Sequence, residues 1–292
     1  MNFKEGYRVD TWMNPNDNIL RIRLTEMQYA EAFIDRGCIK FSTPESWVKY
    51  AKLHGDGRGD AYEGTLAFCH LLDYEKFLEL QQKYSPSTIL NPNARELTKE
   101  IYNQRVLFKD KRSMQLPCFC LYVMRVNSFT PPQKEGKQSL KTSIPGNYFK
   151  DFADNKTEVE VSKLPQPEQP ALIIIENFEI FLSRLKNKLF SLGVQENEIL
   201  VSYTSYFDFE KYGQAGWYDF QQKYPNELFV KNLRFKDQSE GRIIINTKNP
   251  DIMKALSQPI DLGNMSDIAQ MVPGYHPEGI NIELTASIIS EK

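Results

Sequence analysis

The sequence predicts a mixed α+β fold, with a mostly antiparallel central sheet into which helical segments are inserted. Strand-like and helix-like segments alternate along the chain, but without the regular strand–helix–strand rhythm of a doubly wound sheet. The chain contains neither a Gly-x-Gly-x-x-Gly fingerprint nor a Walker loop. With 292 residues, of which 41% are apolar, it is long enough to bury its own core, and we expect a single domain over residues 1–292.

The first part of the chain reads as strand, helix, strand and loop. "NILRIRL" alternates apolar and charged residues with the period of two that a half-exposed strand shows. "TEMQYAEAFIDRG" predicts a helix with Thr25 as its N-cap and Gly37 at its end. "CIKFS" predicts a second strand, which gives way at Pro44 to a loop. "TLAFCHLL" predicts a third strand, and we expect a helical segment over residues 72–115.

In the second part of the chain, "LPCFCLYVMRV", "ALIIIE" and "EILVSYTSYF" predict strands, and "FEIFLSRLKNKLFSLG" predicts a helix. Residues 128–170 lose apolar periodicity and collect Pro, Lys, Gln and Gly, which is typical of an excursion or a lid-like insertion, with "NYFKDF" and "EVEVSK" as ordered parts. "QAGWYDFQQKYP" predicts a helix, "FVKNLRFKDQSEGRIIINT" one or two strands, and "IDLGNMSDIAQMV" a late short helix.

Composition and charge exclude several classes of protein. The formal net charge of −2 gives no overall attraction to nucleic acid or to an anionic membrane. The four cysteines and three histidines have no metal-ligand spacing, so we expect no metal site and reduced cysteines in the core. No apolar run reaches membrane-spanning length, and the first residues lack the apolar region of a signal peptide. We therefore expect a cytoplasmic protein without a membrane partner.

Two early stretches supply candidate ligand-binding side chains. Arg21 and Arg23 in "LRIRL" lie two apart on a strand and so share one face. They are either a solvent-facing pair or a phosphate grip, because the planar fork of a guanidinium matches phosphate oxygens. Ser42 in "FSTP" falls at a strand end, where its hydroxyl either orients a ligand or only begins the turn set by Pro44.

The loop "GDGRGDAYEG" concentrates glycines and mixed charges. Glycine permits backbone shapes that other residues avoid, so Arg58, Asp60 and Glu63 can be held close together. A surface turn with a local ion pair is the simpler interpretation. We favour the interpretation that this loop forms a wall of a ligand site between the first and last strands.

A late strand carries the candidate catalytic carboxylate. In "FKDQSEGRIIINT", Gln238, Glu240 and Arg242 alternate and are expected on one face of the strand. Polar residues at the start of a core strand are common. A carboxylate beside an amide, however, also suits chemistry on a sugar, because it stabilises positive charge that develops on the anomeric carbon.

In their order along the chain, six motifs resemble those of a large bacterial family of uncharacterised proteins often encoded beside phage-resistance genes. These motifs are "LRIRL", "GCIKFSTPESW", "GDAYEG", "LPCFCL", "VSYTSYF" and "LFVKNLRFKDQSEGRIII". The family has a basic first strand, a Phe-Ser-x-Pro turn, an Asn-Asp-Pro-x-Glu loop, a Cys-Phe-Ser strand and a late Glu-x-Glu-x-Arg strand. The resemblance covers residues 19–246, but Gly59-Asp60-Ala61 stands where Asn-Asp-Pro is usual, and Gln238 replaces the first Glu.

The same order is also similar to the Arg-Ser-Glu layout of ADP-ribosyltransferases, whose sheet is split. This resemblance implies that the protein uses NAD as a substrate and that Arg21 or Arg23 holds its phosphates. By the same resemblance Ser42 braces the site, Gln238 orients the acceptor and Glu240 stabilises the ribosyl cation left when nicotinamide departs. The acceptor is a protein side chain, a nucleobase or water.

Several accessory assignments follow from this second resemblance. Arg242 joins the cofactor-binding residues, and Tyr203, Tyr206 or Trp217 stacks on a ring of NAD, with core packing as the alternative role for these aromatics. A toxin or phage-defence effector of this class would have a protein or nucleic-acid acceptor and an antitoxin as partners.

Two other functions fit the same residues. One is a non-catalytic module of a defence system that senses NAD or another nucleotide, in which the Arg and Glu residues bind ligand without turnover. The other is a metal-dependent nuclease-like toxin, with Asp60, Glu63 and Glu240 around a divalent cation. The lysine-bearing motif usual in such nucleases is not visible in the sequence.

Overall fold

A computed structural model describes residues 18–54, 59–70, 73–84, 105–125, 136–209, 217–219 and 225–288. Numbered along the chain, its α-helices are α1 Met27–Arg36, α2 Pro44–His54, α3 Tyr74–Tyr84, α4 Gly146–Phe152, α5 Glu158–Ser162, α6 Phe178–Ser191 and α7 Pro250–Leu256. The strands are β1 Asn18–Glu26, β2 Cys38–Ile39, β3 Thr65–His70, β4 Arg105–Lys109, β5 Cys118–Arg125, β6 Gly136–Pro145, β7 Pro170–Ile175, β8 Ile199–Tyr203, β9 Ser205–Phe207, β10 Trp217–Asp219, β11 Val230–Asn232, β12 Glu240–Ile245, β13 Ile260–Asp261, β14 Ala269–Pro273 and β15 Gly279–Ile288. The predicted α+β class is confirmed.

The chain forms two compact units, each assembled from separate stretches of sequence. The first unit contains the residues up to Ser42, Pro117–Tyr203 and the residues from Asp237 onward. The second unit contains Thr43–Leu116 and Thr204–Lys236. Whether these two units combine into the single domain predicted over residues 1–292 stays a prediction.

The first unit is built on a six-stranded antiparallel sheet with the order β14-β7-β1-β5-β12-β8. Side chains alternate between its two faces, and partners across a ladder share a face. We call face A the side that carries Ile22 and Tyr122, and face B the side that carries Val123 and Ile243. The alternation seen in "NILRIRL" therefore places the arginines and the aliphatic residues of β1 on opposite sides at the backbone.

Each face of this sheet has its own apolar core. Face B packs against the apolar stripes of α1, α6 and α7, which contribute Met27, Ala30, Phe33, Phe181, Leu182, Leu185, Leu189, Ile252 and Leu256. Face A packs against α4 through Phe149 and against the two-stranded β6–β15 ribbon through Ile144 and Ile280. Burying each such side chain stabilises the fold by about 1.5–3 kcal/mol, which fixes the register of the central strands.

The second unit contains a small antiparallel sheet, β10-β3-β4, and a parallel pair, β11-β9. The strand β3 is buried almost throughout. One of its sides packs with α3 and β4, through Ala67, Cys69, Phe77, Leu80 and Phe108. The other side packs through Phe68, Phe207, Phe209 and Val230.

The predicted loop after the second strand contains a helix. Pro44 opens α2 at the first helical position, where its missing N–H costs no hydrogen bond. Thr43 and Ser46 then cap the helix reciprocally, because each hydroxyl accepts from the backbone N–H of the other residue at 3.2 Å. The prediction of a loop was wrong here because Pro44 was taken as a breaker rather than as a helix start.

Other element predictions also need correction. The helix predicted around Trp217 contains strand β10, which pairs with β3. The late short helix is wrong too, because Ile260–Asp261 pairs with β2 and Ala269–Pro273 pairs with β7, and Gly263 between them has a φ of +92° that no helix accommodates. Thr25 lies within β1, and Glu26 is the N-cap of α1, whereas Gly37 ends that helix in the left-handed conformation as predicted.

Two long segments proved more regular than expected. The helical segment predicted over residues 72–115 contains α3, but Arg105–Lys109 is strand β4 paired with β3. In the excursion predicted over residues 128–170, "NYFKDF" and "EVEVS" are ordered as expected and form α4 and α5, and β6 adds ten residues of ladder with β15. Residues 85–104 and 126–135 lie outside the described part of the chain. Within the described part, no helix is both long and apolar enough to cross a membrane.

Candidate functional site

A buried ion pair occupies face A at the start of β12. Glu240 pairs in register with Tyr122, and Arg242 pairs with Cys120, so both side chains point to face A as the sequence predicts. The Arg242 Nε donates to the Glu240 carboxylate at 2.5 Å. Arg242 is fully buried and Glu240 is 7% exposed. In so dry a location each charge depends on the other, because an isolated buried charge would neutralise.

The residues just before Glu240 do not continue the strand. Gln238 ends a 3₁₀ helix, and Ser239 follows with a φ of +38°, which is rare for a residue with a side chain. The Ser239 hydroxyl donates to the Val123 carbonyl at 2.7 Å, and the Val123 N–H donates to the Ser239 carbonyl. The backbone conformation of Ser239 costs about 1–3 kcal/mol of folding free energy, and these bonds hold the strained turn in place against that cost. The turn fixes where β12 begins and therefore where Glu240 lies.

Gln238 accordingly does not share the strand face with Glu240. Its side-chain amide donates to the Asp151 carboxylate at 3.1 Å. The expected alternation over Gln238, Glu240 and Arg242 holds for the last two residues alone, because the turn at Ser239 interrupts it.

Two further side chains complete the surroundings of Glu240, and the sequence did not single them out as site residues. The Cys120 thiol hydrogen-bonds to Glu240, and burial, reinforced by that carboxylate, raises its pKa well above the ordinary value. Tyr148 on α4 packs against Tyr122 with ring centroids 5.1 Å apart and ring planes tilted by 41°, and burial likewise raises the pKa of its phenol. Both groups therefore stay protonated at neutral pH, and the thiol can serve as a hydrogen-bond donor to the carboxylate.

Arg23 reaches the same neighbourhood through a gap in the sheet. The β1–β5 ladder ends at Ile22 and Tyr122. Beyond that point the Arg23 Nη1 donates to the Cys120 carbonyl at 2.8 Å, and its Cζ lies 4.4 Å from the centroid of the Phe119 ring. The guanidinium thus takes the place that a backbone N–H of β1 would occupy in a continuous ladder.

The head of Arg23 lies among partly exposed polar groups. Part of its side chain remains accessible to solvent, yet desolvation lowers the pKa of the guanidinium, an effect that Cys120 and Tyr148 partly oppose. Tyr148, Cys120 and Ser42 are also partly exposed. We call the polar surface of these four residues the Arg23 surface.

Ser42 lies on the same edge of β5 as the head of Arg23. It forms an isolated bridge with Cys118, with N–H···O distances of 2.9 and 2.8 Å, so its side chain points to face A with that of Cys118. Glu240 lies across β5, and strand geometry separates its backbone from that of Ser42 by roughly 17 Å. Only an extended ligand can contact both, so the expectation that Ser42 braces the site around Glu240 is not supported by this spacing.

Arg21 lies on the other face. Its partners across the ladders are Val123 and Ile175, both on face B, and its Cζ stacks 4.4 Å from the centroid of the Phe178 ring on α6. The two early arginines therefore diverge, since only Arg23 turns toward the Glu240 side. Of the two arginines offered for the phosphates of NAD, Arg21 therefore does not lie on the face of Glu240.

The remaining candidates belong to the second unit. Asp60 is buried, and its two carboxylate oxygens accept from the N–H groups of Tyr62 and Asn232 at 2.9 Å each, so it ties the turn to β11. Glu63 is buried as well. Half-buried Tyr206 lies on β9, and Trp217 begins β10. Arg58 lies outside the described residues.

Fold and site together define an α+β protein whose six-stranded antiparallel sheet carries a buried carboxylate–guanidinium pair next to the partly exposed Arg23 surface. Among the residues described, no group of three or more His, Cys, Asp and Glu side chains is placed to hold a metal ion. No protein-family model, curated protein sequence or solved structure matches the chain. Its function is therefore inferred from the residues of the site.

Proposed function

We propose that the Arg23 surface binds NAD and that Glu240 promotes cleavage of its nicotinamide–ribose bond, with transfer of ADP-ribose to an acceptor. The observation that carries the proposal is the placement of Glu240. A carboxylate that accepts from Arg242 extends from a fixed strand start on the face where Cys120 and Tyr148 are partly exposed. Such a preorganised negative charge stabilises an oxocarbenium ion more than it stabilises neutral ground-state sugar.

The proposed step breaks one bond and forms another. The C1′–N bond of the nicotinamide ribosyl group breaks, and its electron pair leaves with nicotinamide, which becomes neutral. The ribosyl C1′ then carries positive charge next to Glu240. An acceptor attacks C1′ and loses a proton, which gives ADP-ribose if the acceptor is water and an ADP-ribosyl adduct if it is a protein side chain or a nucleobase.

Arg23 supplies the phosphate contact in this scheme. A guanidinium has five N–H donors, and within the described residues Arg23 uses one of them, for the Cys120 carbonyl. The remaining donors form the planar fork that suits a diphosphate. Ser42, on the same edge of β5, would in this scheme contact the part of an extended dinucleotide remote from Glu240.

Nucleotide binding without turnover is the second candidate, and the surroundings of Glu240 favour it. Arg242 and Cys120 both engage the carboxylate, which is almost fully enclosed. Each of these contacts reduces the negative charge available to a ribosyl cation. In that case the same residues would hold NAD as a sensor holds its ligand.

The deciding experiment measures nicotinamide release and label transfer from NAD labelled in its adenylate portion, with and without cell lysate. We expect wild-type protein to release nicotinamide. In Glu240→Gln the amide oxygen can still accept from Arg242, so we expect this variant to keep its fold, verified by hydrogen exchange in β5 and β12, and to bind NAD without releasing nicotinamide. The matched control is Glu176→Gln, an exposed carboxylate in the same unit that accepts from Gln270, which should behave as wild type. Binding by the wild type without nicotinamide release would establish the sensor instead, and absence of binding would remove both.

A further inference from the structure

A lysine at the end of strand β4 holds its amine against the backbone of the second unit. Lys109 is the last residue of β4 and pairs with Thr65 on β3. Its side chain is half-buried, and the Nζ donates to the Ala61 carbonyl at 2.7 Å. That carbonyl belongs to the turn over residues 60–64, which leads into β3. The amine is therefore fixed in one place, whereas most lysine amines move freely in solvent.

Two buried carboxylates belong to the same turn. Asp60 is 2% exposed and Glu63 is 1% exposed, and both lie within electrostatic range of the Lys109 amine. On α2, the exposed ammonium of Lys52 acts on the same amine. The carboxylates favour a positive charge on Lys109, while burial and Lys52 oppose it.

Burial outweighs the carboxylates in this balance. Desolvation lowers the pKa of Lys109 to about 8, an effect that Glu63 and Asp60 oppose and Lys52 reinforces. At pH 7.5 about a quarter of the Lys109 side chains are therefore neutral, compared with about 0.1% for a lysine with the ordinary pKa of 10.5. Only the neutral amine is a nucleophile, and a less basic amine is a weaker one. We therefore expect a net gain in reaction rate of at least about tenfold.

The two carboxylates also favour one kind of adduct. Acylation of the amine would permanently remove the positive charge that Asp60 and Glu63 favour at this position. An imine keeps a basic nitrogen, and its protonated form, the iminium ion, retains that charge and is stabilised by the same carboxylates. The Ala61 carbonyl can accept a hydrogen bond from the iminium N–H as it does from the amine. A carbonyl compound therefore fits this cluster better than an acyl donor does.

We propose that Lys109 is a site of covalent attachment for a small aldehyde. The Nζ lone pair attacks the carbonyl carbon, and a C–N bond forms. The carbonyl oxygen leaves as water with the two hydrogens of the amine, and a proton from solvent converts the resulting imine into the iminium ion. The aldehyde is small because the amine that it must reach is half-buried. The site lies within the second unit and does not depend on the function proposed for Glu240.

The test is reaction of the folded protein with acetaldehyde at pH 7.5, followed by reduction with borohydride and peptide mass mapping. We expect Lys109 to gain an ethyl group at least about tenfold faster than Lys111, an exposed lysine of the same unit. Plotted against pH, the labelling rate of Lys109 should have its midpoint near pH 8. In urea the two lysines should react at equal rates, because unfolding disperses the cluster.

Two exposed lysines of α2 test the role of the charge cluster. Lys52→Gln removes a cation that lowers the pKa of Lys109, so this variant should fold normally and shift the midpoint to higher pH. Lys49→Gln, one turn earlier on the same helix, is the matched control and should leave the midpoint unchanged. Equal labelling of Lys109 and Lys111 in the folded protein, a midpoint near 10.5, or an unshifted midpoint in Lys52→Gln would each overturn the proposal.

Discussion

Replacing the guanidinium of the Glu240–Arg242 pair by an apolar side chain should destabilise the first unit severely. In Arg242→Met, the methionine fills much of the space, but the Glu240 carboxylate is left 7% exposed without its cation. Breaking a buried pair in this way costs about 3–5 kcal/mol, because the remaining charge stays desolvated. The Cys120 thiol remains as a donor and compensates only a small part, since a single hydrogen bond contributes about 1 kcal/mol.

The matched control is an exposed ion pair of the same unit. Arg184 and Asp267 form a bidentate pair in which the side chains are 28% and 55% exposed. Surface pairs typically contribute 0–1 kcal/mol, so Arg184→Met should cost about that much. The contrast between the two Arg→Met variants isolates the effect of burial from the effect of removing a guanidinium.

Hydrogen exchange of the β5 and β12 amides is the appropriate assay, because it reports on the first unit separately when two units unfold independently. Arg242→Met should accelerate exchange there by at least about a hundredfold, the equivalent of roughly 3 kcal/mol. The double variant Glu240→Leu/Arg242→Met should recover most of the loss, since it leaves no buried charge. Equal effects of Arg242→Met and Arg184→Met, or a double variant less stable than Arg242→Met, would refute this reasoning.

Three further predictions concern the second unit. Glu227 is fully buried, and neither carboxylate oxygen has a hydrogen bond of normal geometry within the described residues, so burial raises its pKa. Protonated Glu227 therefore contributes fully to stability below pH 4.5, and this contribution is lost as the pH rises through the raised pKa. Glu227→Gln should consequently increase the free energy of unfolding by about 1–3 kcal/mol at neutral pH, measured by hydrogen exchange in β3 and β4. An unchanged or lowered stability would contradict this. Desolvation lowers the pKa of Lys109 to about 8, so unfolding takes up a proton between pH 8 and 10.5. The stability of the wild type should therefore rise with pH over that window relative to the stability of Lys109→Met, and parallel pH profiles of the two proteins would argue against this. Gly59→Ala should lower the free energy of unfolding in urea by about 1–3 kcal/mol, because the added Cβ would lie 2.5 Å from the Trp47 carbonyl oxygen and 2.6 Å from the Ala51 nitrogen. If this variant were as stable as the wild type, the turn would have to move to accommodate the methyl group.

The sequence predicted those parts of the fold in which local pattern and burial agree. Alternation in "EGRIII" placed Glu240 and Arg242 on one face because β12 is a regular strand from its first residue. The same reasoning failed one step earlier, at Gln238, because the left-handed turn at Ser239 depends on bonds to Val123, far away in the sequence. Periodicity cannot report such a bond.

The site residues that the sequence missed are supplied by tertiary structure. Tyr148 comes from α4, inside the segment predicted to be an excursion, and it meets Glu240 only because α4 packs on face A. The divergence of Arg21 and Arg23 was equally invisible, because two residues that alternate on a strand share a face by rule. It results from the end of the β1–β5 ladder at Ile22, which opens the gap that the Arg23 head enters.

The sheet order has a consequence for synthesis of the chain. β5 and β8 are both translated before β12, the strand that separates them. At ordinary elongation rates the ribosome needs about 2–8 s to pass from the end of β8 to the start of β12. During that interval two apolar strands present open edges to each other and to neighbouring nascent chains. Premature pairing of β5 with β8 would exclude Glu240 and Arg242 from the interior, so this delay is the step at which misfolded chains of the protein should arise.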